Sequence, residues 1–201
     1  MDERVKKNMA GLAAAIDYDA ELMLRVKRGD DASFGVLLEK HRNPVIHFLY
    51  RMVQNPAVAE ELAQEVFLRV YRSRASYEPT AKFTTWLFRI ATHLALNALR
   101  DGKNERKQES LDDTIESQPA RQVSDNRPTV EQSMVQQARL GEVKKAIHTL
   151  PDKQRAAVLM HTYEEMEYSQ IARALNCSES AVKSLLFRAY ETLRTRLAHM
   201  A

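Results

Sequence analysis

A chain of 201 residues has room for one domain or two small ones. Only five glycines and six prolines interrupt long runs of Leu, Ala, Glu and Arg, which argues for an all-helical chain and against a turn-rich β fold. One cysteine, Cys177, excludes an internal disulfide and cysteine-based zinc knuckles, and the formal charge of +3 permits a nucleic-acid partner without requiring one.

The first residues carry Arg4, Lys6 and Lys7 ahead of an apolar run from Met9 to Ile16, a faint likeness to a signal sequence. Acidic residues on both sides (Asp2, Glu3, Asp17, Asp19) favour a short cytoplasmic extension over residues 1–18. No apolar run approaches the ~18 residues a membrane span needs. A first amphipathic helix is expected over residues 19–30, with Leu22, Leu24 and Val26 apolar. A second, capped by Asp31 or Ser33, should break or kink at Asn43-Pro44 and continue to Val53. Asn55-Pro56 then stops one helix and starts the next.

That next helix, over about 57–74, gathers Leu62, Val66 and Val70 on one side with Ala59, Ala63 and Phe67 nearby. Glu61, Gln64, Glu65, Leu68 and Arg72 fall opposite. A charge stripe is usually a solvated face. Leu68 in its middle suggests instead a protein partner with basic residues.

Residues 73–82 form a polar loop containing Tyr77, followed by a helix over 83–100. Trp86, the only tryptophan, lies close to Lys82, Phe83, Phe88 and Arg89. Aromatics among cations beside a loop suit single-stranded nucleic acid, because bases stack on rings while cations hold phosphates. Anchoring a small core explains Trp86 and Phe88 equally well. From Asp101 to Glu131 eight carboxylates face five cations, and Pro119 and Pro128 interrupt the run, so residues 102–129 are expected to be a flexible acidic linker. Beyond it, helices are expected over 130–149, with Met134, Leu140, Val143, Ala146 and Ile147 apolar, and over 152–163.

The last stretch reads as two helices joined by a tight turn. Ser169 is the expected cap of the first, which carries Ile171, Ala172 and Leu175. Asn176 sits where a left-handed residue is needed, and Ser178 caps the second helix. Val182, Leu185, Leu186, Ala189, Leu193 and Leu197 share its inner face; Ser180, Ser184, Phe187, Arg188 and Glu191 mark its outer one, with Lys183 and Arg194 on its flank. An ordinary helical hairpin would account for the periodicity. The basic, hydroxyl-rich outer face, the coreless Phe187 and the Ala172–Asn176–Val182 spacing favour a DNA-binding helix-turn-helix.

The six histidines are scattered, and His161 with Glu164 is a surface pair sooner than a ligand set. No phosphate loop, nucleophile elbow or HExxH motif is present, so no catalytic constellation, metal site or cofactor is expected.

Three motifs in order resemble the extracytoplasmic-function sigma factors of bacterial RNA polymerase, a sigma-E-like group within the sigma-70 superfamily. AEELAQEVFLRVYRS (59–73) is similar to its core-polymerase-binding helix, FTTWLFRIATHLALNALR (83–100) to its −10 segment, and EMEYSQIARALNCSESAVKSLLFRAYETL (165–193) to its −35 reader. The resemblance implies two small helical domains, region 2 over 19–101 and region 4 over 130–201, on a linker over 102–129. It implies that Glu61, Gln64, Glu65 and Leu68 dock on the clamp helices of the largest polymerase subunit. Tyr77, Lys82, Phe83, Trp86, Arg89, Asn97 and Arg100 would lie at the −10 element. Ser180, Lys183, Ser184, Phe187 and Arg188 would enter the major groove at −35. The implied partners are core polymerase (clamp and flap), promoter DNA and an anti-sigma factor, in the cytoplasm, with no enzymatic activity. Glu61 stands for a usual Asp, His93 for a common Asn, Leu185 for a common Arg and Tyr190 for a frequent cation; the last three bear on promoter sequence. Two other readings are a stand-alone helix-turn-helix repressor or activator, and a helical metal-dependent hydrolase. The exposed Glu/Gln stripe argues against the first, and the missing His/Glu set against the second.

Overall fold

The computed structural model describes residues 17–109 and 130–200. Among them are eight α-helices and no strand: α1 (Tyr18–Lys27), α2 (Asp31–Val53), α3 (Pro56–Arg72), α4 (Phe83–Glu109), α5 (Val130–His148), α6 (Asp152–Thr162), α7 (Tyr168–Leu175) and α8 (Glu179–Leu197). Short 3₁₀ turns follow α3 at Ser73–Ser76 and α8 at Ala198–Met200. The all-α expectation holds for these residues. Most of the expected N-terminal extension, and linker residues 110–129, lie outside them.

Local chemistry sets the helix starts. The Asp17 carboxylate accepts the Ala20 N–H at 2.7 Å, capping α1, and its second oxygen accepts the Phe83 N–H at 3.1 Å, where α4 begins. One side chain thus satisfies orphan donors of two helices 66 residues apart. Asp30 accepts the Ser33 hydroxyl at 2.7 Å and the Ser33 backbone N–H at 3.2 Å at the head of α2, and these hydrogen bonds hold its carboxyl below the usual range. Asn55 caps α3 through Val58, with Pro56 in the first position as anticipated.

At Asn43-Pro44, where a break or kink is expected, no break occurs: α2 runs as one helix of 23 residues to Val53 with Pro44 inside it. Leu37 and His41 before the proline, and Val45, Phe48, Leu49 and Met52 after it, keep one buried face in register, and that burial outweighs the lost backbone bond. The helix expected to end at Arg100 continues to Glu109. Gly102 is a single weak position ahead of Glu105, Arg106, Lys107 and Gln108, all good helix formers.

In the first half, α1 to α4 close around Met23, Val26, Leu37, Leu49, Met52, Val66, Val70, Phe83 and Leu87. Asp19, buried beneath them, is satisfied by Lys40 Nζ at 2.7 and 2.8 Å and by His41 Nε2 at 2.9 Å. In the second half, α5 to α8 bury Ile147, Leu150, Leu159, Met160, Ile171, Val182 and Leu186. Leu140, expected on the apolar side of α5, is exposed.

The two helical domains pack against each other. Their buried residues form one continuous cluster, with α4 packed on α6 and α7 and the end of α2 packed on α5 and α6. Arg155 marks the join. Its guanidinium, 4% exposed, donates to Met52 O at 2.6 Å in α2 and to His148 O and Leu150 O at 2.6 and 3.1 Å in the second half.

Candidate nucleic-acid and protein interfaces

The two-helix element at the C-terminal end is built by its turn. Asn176 takes φ 51° and ψ 54°, the left-handed conformation its sequence position calls for. The Cys177 N–H then returns to Ala172 O at 3.0 Å, closing α7. Ser178 caps α8 by accepting the Ala181 N–H at 3.2 Å. The cap of α7 differs from expectation: the helix starts at Tyr168, so Ser169 lies within it and Glu167 is the cap position. Gln170 Oε1 accepts the Glu167 N–H at 2.8 Å, half of a capping box.

On α8 the inner face is as the periodicity requires. Val182, Leu186 and Ala189 are buried, and Leu185, Leu193 and Leu197 are half-buried. Ser180, Lys183, Ser184, Phe187 and Arg188 are all exposed, Phe187 by 69%. Among the described residues neither Lys183 nor Arg188 has a carboxylate partner, whereas Arg194 is paired with Glu191. The face therefore offers two free cations beside an aromatic ring. Leu185 points inward, and the Tyr190 hydroxyl lies 3.2 Å from His161 Nδ1.

The stripe on α3 lies opposite the buried Ala59, Ala63, Val66, Phe67 and Val70. Glu61, Gln64 and Leu68 are exposed, and Leu68 shows 48% of its surface. Glu65 is half-buried and accepts from Arg69 Nε at 2.6 Å.

The residues expected near the start of α4 divide into two sets. Tyr77 and Phe83 are buried, 4% and 0% exposed. Their rings support Trp86 from beneath, at centroid distances of 4.9 and 5.9 Å. Burial, aided by the charges of Asp17 and Asp19, pushes the Tyr77 hydroxyl up to about 12. Trp86 itself is half-buried, while Lys82, Arg89, Asn97 and Arg100 are exposed. On a 100° wheel Trp86, Arg89, Asn97 and Arg100 share one stripe, and His93 lies among them. His93 was noted in the sequence only as a departure. The 89, 93, 97, 100 spacing would have placed it in the stripe. Burial and the neighbouring Arg89 hold its imidazole below the usual value.

His161 and Glu164 do not converge on a common ligand. His161 packs against Tyr168 and Tyr190. Burial pushes the Glu164 carboxyl up to about 7, against the pull of Arg51. No group of three or more metal-ligating side chains occurs among the described residues. No helix among them is long and apolar enough to cross a membrane.

Residues 37–105 match the family model for sigma-70 region 2, and residues 140–193 that for sigma-70 region 4. The chain is 32% identical to the RNA polymerase sigma factor CarQ of Myxococcus xanthus, over 89% of this chain and 97% of that protein. It is 28% identical to the RNA polymerase sigma-H factor of Pseudomonas aeruginosa, over 88% and 92% respectively. The ECF sigma factor SigW of Bacillus subtilis is 29% identical over 86% and 93%. Two solved structures share the fold. One is the sigma factor RpoE of Bartonella quintana bound to the anti-sigma factor NepR, with TM-score 0.66, 21% identity and coverage of 82% and 96%. The other is CnrH in complex with the cytosolic domain of CnrY, with TM-score 0.65, 17% identity and coverage of 92% and 100%.

Proposed function

The chain belongs to the extracytoplasmic-function group of the sigma-70 family, and on that premise we propose how its surfaces divide the work of transcription initiation. It is a sigma factor that binds core RNA polymerase and directs initiation at promoters carrying −10 and −35 elements. The observation that carries this is the match to regions 2 and 4, in order, in a chain aligned almost end to end with sigma factors.

Region 2 corresponds to residues 19–101 and region 4 to residues 130–201, with the acidic stretch 102–129 between them. Glu61, Gln64, Glu65 and Leu68 form the polymerase face, docking on the clamp helices of the largest subunit. Exposed carboxylates around an exposed leucine fit a basic partner with an apolar centre.

The α4 stripe is the −10 face. Lys82, Arg89, Asn97 and Arg100 hold phosphates and base edges, and Trp86 offers its outer face for stacking. Tyr77 and Phe83 serve from inside, fixing the tryptophan ring. The −35 element lies against α8, where Arg188 and Phe187 are suited to a guanine edge and a thymine methyl, and Lys183, Ser180 and Ser184 to the backbone.

Region 4 also meets the polymerase flap, and an anti-sigma factor restrains the protein by covering its polymerase-binding surfaces. The complexes seen for the two fold neighbours support that last reading. The protein carries no chemistry or cofactor of its own and works where the polymerase is, in the cytoplasm. Run-off transcription with purified core polymerase tests the whole. Promoter-dependent transcripts should appear only when the protein is added, and their absence at every promoter tried overturns the reading.

A further inference from the structure

Helix α1 meets the −10 face at three places and carries none of the residues assigned to it. At its head the Asp17 carboxylate accepts the Phe83 N–H at 3.1 Å with one oxygen and the Ala20 N–H at 2.7 Å with the other. In its last turn Lys27 Nζ donates to Tyr77 O at 2.9 Å. Between them the buried Asp19 lies 2.9 Å from His41 Nε2, and the His41 ring stands 5.4 Å from that of Phe83. The loop from Tyr77 to Phe83 is therefore tied to one helix at both of its ends.

These ties bear on Trp86 because of what lies under it. Its ring rests on Tyr77 and Phe83, the two residues whose backbone α1 holds. The Tyr77 hydroxyl is buried and has no hydrogen-bond partner among the described residues, so it does not set where that ring lies. The backbone bond from Lys27 and the packing around the ring do. Phe83 is the first residue of α4, and its N–H is one of the donors that a helix start leaves unmet. Asp17 meets it from a rigid element. A free stretch of six peptide steps could place its ends anywhere up to about 20 Å apart. The ten-residue helix instead holds Asp17 and Lys27 about 15 Å apart along its axis.

We propose that α1 is a brace for the −10 face, with Asp17 and Lys27 as positioning residues that fix the two ends of the loop and hold the Tyr77 and Phe83 rings beneath Trp86. Neither touches DNA; both act through the ring they support. The brace rests on the promoter reading above and adds to it two residues outside the DNA-facing set.

Transcription by the holoenzyme and the fluorescence of the single tryptophan test it together in the full-length protein. Asp17→Ser keeps a capping oxygen for α1 but is too short to serve Phe83 as well. Lys27→Met keeps the apolar stem and removes the ammonium. Each should lower run-off transcript from a duplex promoter by about five-fold, the scale of one lost hydrogen bond, and from a pre-melted bubble by less than about two-fold. In the free chain each should make Trp86 easier for acrylamide to quench. Lys27→Arg, which still donates, should restore both readings. In a Trp86→Ala background neither substitution should lower transcript further by more than about two-fold, because the ring they position is gone. Charge separates this from direct contact with DNA. Loss of the Asp17 carboxylate would strengthen phosphate binding and loss of the Lys27 ammonium would weaken it, so electrostatics alone gives the two variants opposite effects. Opposite effects, unchanged transcription, equal losses on the two templates, unaltered quenching, or full additivity with Trp86→Ala would each overturn the brace while leaving the promoter reading standing. No transcript from the wild-type chain would instead remove the promoter reading, and the brace with it.

Discussion

Trp86 and Glu164 show what a single residue's surroundings add to its identity. The sequence left Trp86 between stacking on a base and anchoring a core, and the structure gives it both circumstances: rings of Tyr77 and Phe83 beneath, and an open side within the cationic stripe. Tyr77 and Phe83, grouped with it by composition, are interior: Tyr77 follows the short turn after α3 and Phe83 opens α4, both with their rings buried. Trp86→Ala should lower stability by about 1–3 kcal/mol, less than a fully buried aromatic. It should also reduce transcription from a duplex promoter more than from one with a pre-melted bubble; equal losses on the two templates would leave only the packing role. Glu164 carries a second consequence. Its carboxyl titrates near 7 in the folded chain against an ordinary 4.5. The unfolded chain thus holds fewer protons across that window, so stability falls as pH rises from the middle 4s through 7 and is level above it. Glu164→Gln should abolish that dependence and be more stable than wild type at pH 8 by about 1–2 kcal/mol, after discounting for its remaining contact with water. Melting curves of the two proteins at pH 5 and pH 8 check this, and parallel curves would remove the assignment.

Helices and their junctions were the most legible level, because their causes are local. The Asn55-Pro56 start, the left-handed Asn176 and the Ser178 cap each follow from a residue and its immediate neighbours. The differences came where a longer-range effect prevailed. Pro44 failed to interrupt α2 because seven buried positions on one face held the helix through it. Ser169 lost the cap of α7 to Glu167, two positions earlier, whose N–H donates to the Gln170 side chain. The α3 stripe was read by periodicity alone, and its exposure is as that pattern requires. Replacing Glu61 and Glu65 together by Lys should therefore leave the fold almost untouched, costing at most the exposed Glu65–Arg69 pair, well under about 1 kcal/mol. Core polymerase affinity should fall by several kcal/mol, since like charges would then face each other across the contact. A titration against core enzyme showing unaltered affinity would dissociate this helix from polymerase binding.

Across the whole molecule, the two helical domains that the sequence suggests are present, and their described buried residues join in one hydrophobic cluster. Nothing local could have announced the join. Thr92 meets Met160 across 68 positions, and Arg155 meets Met52 across 103. Arg155 is the residue on which the join can be tested. A guanidinium 4% exposed, with burial lowering its pKa, is sustained by hydrogen bonds to carbonyls of both halves and by the Asp152 carboxylate 3.7 Å away. Removing it leaves those carbonyls without a donor and opens a gap where α2, α5 and α6 meet. Arg155→Met, which keeps much of the volume, should cost about 2–4 kcal/mol. The single tryptophan makes the test clean, because Trp86 fluorescence reports the first half alone while far-ultraviolet dichroism reports helices in both. In the wild-type chain the two thermal transitions should coincide, as expected of one cooperative unit. In Arg155→Met the dichroism should begin to fall several degrees before the fluorescence, with the second half melting first because it loses the bonds to His148 and Leu150 as well as the one to Met52. Coincident transitions in the variant, lowered together or not at all, would mean that the shared cluster couples the halves without the buried arginine.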